Sequence, residues 1–257
     1  MPRRERWIIV AALAAIAAAA WAYMVYQARD LSVTGVCECL SMKMDTAGDL
    51  SPATLLPLFF MWAGMMVAMM LPSATPMILT FAAVSRKRRQ QERPYVPVAI
   101  FVAGYVAIWS GFSVVAAFAQ WLLHRYTLLS PTMASRSAIL AGLLLLAAGI
   151  FQFTPLKHAC LTQCRAPFEF IMTHWREGAG GAFRMGLEHG LFCTGCCWAL
   201  MGLLFVAGVM NILWIAALSL IVGLEKLLPR GIWLSSAAGV ILTGWGAWLI
   251  AGSLYLK

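Results

Sequence analysis

Charge is scarce in this sequence. Only 11% of its 257 residues are Asp, Glu, Lys or Arg, whereas a soluble domain carries about 25%, and that excludes an ordinary water-soluble domain. Acidic residues are scarcer still, ten against nineteen basic ones, and no two carboxylates stand at catalytic spacing. A Gly-rich phosphate loop, a G-x-S-x-G elbow and an H-E-x-x-H helix are all missing, so hydrolysis and ATP-driven pumping by this chain alone lose their basis. Strand-like alternation, low-complexity tails and a convincing internal repeat are missing too. Polar breaks are too short for a second folded domain. Seven cysteines make an odd number, which argues against a fully paired disulfide framework.

What is present is apolar: 62% hydrophobic residues and a mean hydropathy of +0.81. Runs of roughly 20 apolar residues recur, each long enough at about 1.5 Å per residue to cross about 30 Å of hydrocarbon. They predict one all-α, polytopic membrane domain over residues 1–257 with about seven spans. These are Trp7 to Tyr26, Leu56 to Val84, Val96 to Leu123, Ala138 to Phe153, Phe183 to Met210, Ile212 to Leu228 and Ile232 to Leu256. The first follows Arg3, Arg4 and Arg6 like a signal peptide, but its run is longer than a signal h-region and its A-x-A sites lie inside the run, so it is expected to be retained. The weakest boundary is Met210-Asn211, where a single kinked segment would leave six spans.

The net charge of +9 does not point to nucleic acid, because the basic residues sit in short loops, where they orient the chain in a bilayer. Fourteen Lys and Arg fall on the side of the N-terminus, of loops Ser85 to Pro94 and Thr154 to Arg184, and of Lys226 with Arg230, against five on the other side. The excess predicts a cytoplasmic N-terminus, and seven spans would put the C-terminus outside.

The fifth span carries Glu188, His189, Cys193, Cys196 and Cys197, and ionisable groups at that depth are a functional hypothesis in themselves. Met185, His189, Cys193, Cys197 and Met201 recur every three or four residues and share one helix face, with Cys196 beside them. Thiolate, thioether and imidazole donors on one stripe suit Cu(I) first and Zn(II) next; the bland alternative is that cysteine is a small buried hydrophobe. In the preceding loop Cys160 and Cys164 are four apart near His158, bracketed by Pro155 and Pro167 and separated from the span by Gly178, Gly180 and Gly181. That segment can fold back as a cap and close a shared site. In the second span Met61, Met65 and Met69 share a face, with Met66 and Met70 on the adjacent edge and Pro72 and Pro76 expected to interrupt the backbone ladder. Such a ladder passes Cu(I) without charge, though methionine stripes also simply fill cores. On the other side, loop 27–55 holds Cys37, Cys39, Met42 and Met44, a soft-metal capture patch or an outer redox pair. Glu225-Lys226 reads as a satisfied ion pair or a snorkelling lysine.

The run Phe153-Thr154-Pro155-Leu156-Lys157-x-x-Cys160-Leu161-x-x-Cys164-Arg165-x-Pro167, then Gly186-x-x-His189-Gly190-x-x-Cys193-x-Gly195-Cys196-Cys197-Trp198, Met210-Asn211 and Glu225-Lys226, with Met65-x-x-Ala68-Met69-Met70-x-Pro72, resembles a bacterial family of integral membrane proteins described as predicted metal-binding. The resemblance covers about residues 55–230 and implies metal binding by Cys160, Cys164, His189, Cys193, Cys196 and Cys197 in a bacterial inner membrane. The expected function is Cu(I) transport, or delivery to a membrane cuproenzyme, with a copper chaperone or that cuproenzyme as partner and without enzymatic activity; zinc, nickel and mercuric ion are lesser options. The rival is a membrane thiol-disulfide oxidoreductase using Cys193/Cys196 and Cys37/Cys39, and the blandest alternative is a cofactor-free scaffold.

Overall fold

A computed structural model describes residues 2–34, 52–89, 96–130, 133–228 and 231–255. The described residues form ten helices and no named strand, only an isolated bridge between Leu129 and Ser135. They are α1 (Arg3–Thr34), α2 (Pro52–Arg89), α3 (Val98–Arg125), α4 (Ala138–Phe151), α5 (Pro155–Arg165), α6 (Pro167–Thr173), α7 (Gly178–Gly202), α8 (Leu204–Ala207), α9 (Ile212–Leu227) and α10 (Gly231–Tyr255). The outer patch of Cys37, Cys39, Met42 and Met44 lies outside the described residues.

Five helices are long and apolar enough to cross a membrane, or six if α4 and α5, bent by 65° at their junction, count as one. The seven spans read from hydropathy are therefore too many by length. α4 has 14 residues and α9 has 16, which is about 21 and 24 Å of rise, short of the hydrocarbon thickness. Local chemistry sets both ends. Ser137 caps α4 by accepting from Leu140 N–H (3.2 Å), and Thr154 with Pro155 starts α5 at once, Thr154 Oγ1 accepting from Lys157 N–H (3.3 Å). Gly208 at φ 103° breaks the chain after α8, and Asn211 caps α9 through Trp214 N–H (3.2 Å). The weakest sequence boundary is thus a genuine helix break.

α2 stays helical through Pro57, Pro72 and Pro76, although a proline has no N–H to give to the ladder. Hydroxyls accompany the carbonyls just before Pro72: Ser219 donates to Met69 O (3.4 Å), and Ser73 (2.9 Å) and Tyr105 (3.2 Å) donate to Met70 O. Pro72 and Pro76 line a cavity of about 1130 Å³ between α1 and α2.

α2 packs on α1, α3, α6 and α9, while α7 packs on α3 and α5. The methionine edge of α2, Met61, Met65, Met66, Met69 and Met70, is buried throughout. The α3–α7 crossing is backbone on backbone: a Cβ on Gly104 would come within 2.2 Å of Phe183 O, and one on Gly186 within 2.1 Å of Phe101 O. Small residues allow such approaches where there is no hydrophobic gain in separating from solvent. Gly186→Val should force α7 off α3 and cost about 1–3 kcal/mol or more, as overpacking does. The measurement is the thermal unfolding midpoint in detergent, and an unchanged midpoint would refute the close crossing.

Candidate metal centre

α7 carries His189, Cys193, Cys196 and Cys197, all buried. Helical rise stacks His189, Cys193 and Cys197 on the face turned to α3, α2 and α9, as their contacts show. Cys193 is the hub. Its sulfur lies 3.1 Å from Tyr105 Oη of α3 and accepts from Lys226 Nζ of α9 at 3.0 Å. Its carbonyl accepts from the thiols of Cys196 (3.1 Å) and Cys197 (3.0 Å), the back-bonding that a helix offers to donors three and four residues on. Cys197 Sγ also stands 3.9 Å from Met70 Sδ.

α5 folds back onto α7, which sets Cys160 and Cys164 beside the cysteines of α7. Cys160, one turn earlier, lies over Gly195: a Cβ there would sit 2.8 Å from its sulfur, so a larger residue would have to displace the thiol. All five described cysteines are free thiols. Among the described residues, no three His, Cys, Asp or Glu side chains are already disposed around one metal position. The Cys196 and Cys197 thiols are turned to the Cys193 carbonyl instead.

His189 is held by rings: Tyr105 at 5.5 Å and Phe101 at 6.1 Å stack on it and Phe170 lies tilted at 5.6 Å. Its Nδ1 is buried without a partner among the described residues. An orphaned imidazole nitrogen is costly in an apolar interior and is the state expected of a donor awaiting a ligand. Met65 and Met69 are buried on α2, but the thioether that reaches the thiols is that of Met70.

Glu225 and Lys226 overturn their sequence reading. They do not pair with each other, and Lys226 does not snorkel. Glu225 Oε2 accepts from Lys157 Nζ of α5 at 2.7 Å and its Oε1 from Ser235 of α10 at 2.9 Å, with Lys157 and Glu225 essentially inaccessible. Lys226 points instead into the sulfur cluster. Tyr105, Lys157 and Lys226 were absent from the expected site, although polar and basic groups inside apolar runs were the available signal. Glu188, by contrast, accepts from Arg184 (3.3 Å) and Arg176 (3.5 Å), an edge role away from the thiols.

The family model described as PpoB2, copper chaperone, matches residues 59–249, and the chain belongs to that family. No curated protein and no solved structure matches it significantly.

The Lys157–Glu225 contact anchors the helix that carries Cys160 and Cys164, so its loss should release α5. Breaking one side of a buried pair costs about 3–5 kcal/mol, and replacing both by apolar residues costs far less. Lys157→Met should therefore destabilise strongly, and Lys157→Met with Glu225→Leu should recover most of the loss. Additive losses in that double-variant cycle would mean the pair does not couple α5 to α9.

Proposed function

Starting from membership of the copper chaperone family, we propose that this chain is an inner-membrane protein that binds copper as Cu(I) and passes it across the bilayer or to a membrane copper protein. The observation that carries the reading is the meeting of soft donors from three helices: Cys164 from α5, Cys193, Cys196 and Cys197 from α7, and Met70 from α2. Thiolate and thioether donors select Cu(I) over hard cations, and the partnerless Nδ1 of His189 adds a nitrogen donor. Zinc would take the same thiols but asks for about four donors in a tetrahedron, whereas Cu(I) accepts fewer.

The membrane setting rests on the long apolar helices and on their outward residues. Val115, Leu213, Val240, Ile241 and Trp248 are all largely exposed, a surface suited to lipid and too apolar for water. Eight basic residues, three ahead of Trp7 and five between Ser85 and Pro94, against Arg29 and Lys43 in the intervening segment, favour a cytoplasmic N-terminus, and a reporter fused ahead of Arg3 should read cytoplasmic. In this setting Cys37 and Cys39 would collect the ion outside. The Met61, Met65 and Met69 face, turned inward rather than toward lipid, would carry it, and the thiols would hold it, because thioethers bind more weakly than thiolates. Burial of Cys193 and Cys196 keeps them from the protein thiols that an oxidoreductase must meet, which disfavours the redox reading.

The test is copper content after purification under anaerobic, reducing conditions. Wild type should retain copper, Cys193→Ser with Cys197→Ser should lose tight binding, and Met65→Leu with Met69→Leu should keep binding but slow uptake into membrane vesicles. Unchanged copper in the cysteine pair would end the proposal, and a thiol count that changes only with reductant would favour the redox rival.

A further inference from the structure

Lys226 is a buried cation among sulfur atoms. The residue is buried, 7% exposed, and the neighbours of its ammonium are Cys193 Sγ at 3.0 Å, Ser73 Oγ at 3.2 Å and Met70 Sδ at 4.0 Å. The adjacent Glu225, which could have taken this charge, is committed to Lys157 and Ser235. A buried cation with sulfur neighbours on two helices marks where a cation is favoured. Met70 Sδ is shared: it lies 4.0 Å from Nζ and 3.9 Å from Cys197 Sγ.

Resting on the copper reading above, we propose that the Lys226 ammonium occupies the copper position in the metal-free chain, and that incoming Cu(I) displaces it and takes Met70 as its thioether ligand beside Cys193 and Cys197. An ammonium and Cu(I) carry the same unit charge. Exchanging one for the other keeps a unit cation beside Cys193, and the proton that the Cys197 thiol gives up on ligating the metal passes to solvent, so the sulfur cluster is never left without a cation in a medium where an uncompensated charge is expensive. The same exchange run backwards releases the metal. Met70 suits this role because a thioether is neutral and holds Cu(I) without adding charge to the pocket.

The geometry gives the ammonium somewhere to go. Lys226 lies in the last turn of α9, which ends at Leu227, and its flexible four-carbon stem can swing without moving the helix. Leu227, Pro72, Thr75 and Pro76 line the cavity between α1 and α2, and Ser73, already a partner of Nζ, stands between Pro72 and Thr75 in α2. The displaced ammonium would leave past Ser73 into that space.

The experiment is an anaerobic Cu(I) titration of the full chain in detergent against a coloured Cu(I) chelator. Lys226→Gln removes the competing cation and should bind Cu(I) about tenfold more tightly at unchanged stoichiometry, whereas Met70→Leu should bind about tenfold more weakly. Met66→Leu, a buried methionine on the same helix, should match wild type. Equal or weaker affinity in folded Lys226→Gln would show that the lysine supports the site rather than occupying it, and an unchanged Met70→Leu would remove Met70 as a ligand. A measurement on wild type keeps the proposal open to refutation if either variant misfolds. Modification of Lys226 by a small amine-reactive acylating reagent, followed by mass spectrometry, should rise several-fold when Cu(I) is added while buried Lys157 stays protected; no rise overturns the displacement. If wild type takes up no Cu(I) at all, the copper reading fails, and that result is distinct from any difference among variants.

Discussion

One buried contact governs the geometry of the thiols. Lys157 and Glu225 meet at 2.7 Å with neither exposed to solvent, and Ser235 fills the second carboxylate oxygen at 2.9 Å. A pair this deep persists only when its lone pairs and protons are satisfied, so α5, α9 and α10 must hold their places together. The consequence reaches the cysteines. Lys157 lies on the buried face of α5 with Cys160 and Leu161, so fixing the lysine fixes the turn that lays Cys160 over Gly195 and brings Cys164 to Cys193 and Cys196. At the far end of α5, Arg165 donates to Leu228 O at 2.7 Å, tying that terminus to the end of α9 as well.

The second constraint is the absence of side chains where helices cross. α7 approaches α3 through Gly186 and Gly104, and α4 meets α10 through Gly142 and Gly246, where an added Cβ would lie 2.8–2.9 Å from the opposite carbonyl. Close crossings of this kind shorten the distance that a side chain must span. Tyr105 of α3 therefore reaches both Met70 O of α2 and Cys193 Sγ of α7, linking three helices through one hydroxyl, and its ring covers His189.

Much of this was legible from spacing within single helices. Cysteines and histidine repeating every three or four residues had to share a face, and Cys160 with Cys164 had to point together once Pro155 started a helix. What was not legible runs between helices. The partner of Glu225 is 68 residues away on α5 rather than the neighbouring Lys226, because adjacent residues on a helix point in different directions. Which methionine edge meets the thiols depends on the rotation of α2, which hydropathy does not define when the helix is apolar all round. The count of spans suffered for a related reason: apolarity extends through Gln152-Phe153 and Met210-Asn211, whereas helix length is set by caps and the positive φ of Gly208.

The electrostatics of the cluster also separate it from a redox Cys-x-x-Cys. Such motifs lower their thiol through a helix N-terminus or a neighbouring cation, and the effect of the helix dipole fades within the first turn. Cys193 is far from that end: α7 begins at Gly178, about 22 Å earlier along the helix axis. The dipole therefore does nothing for this cysteine, and the positive partner that its sulfur meets is the Lys226 ammonium. A side chain differs from a dipole in one respect that matters here, since it can move. Fixing the sulfur's electrostatic partner on a flexible stem rather than on a helix backbone makes the environment of Cys193 exchangeable, which a cargo site requires and a permanently poised redox thiol does not.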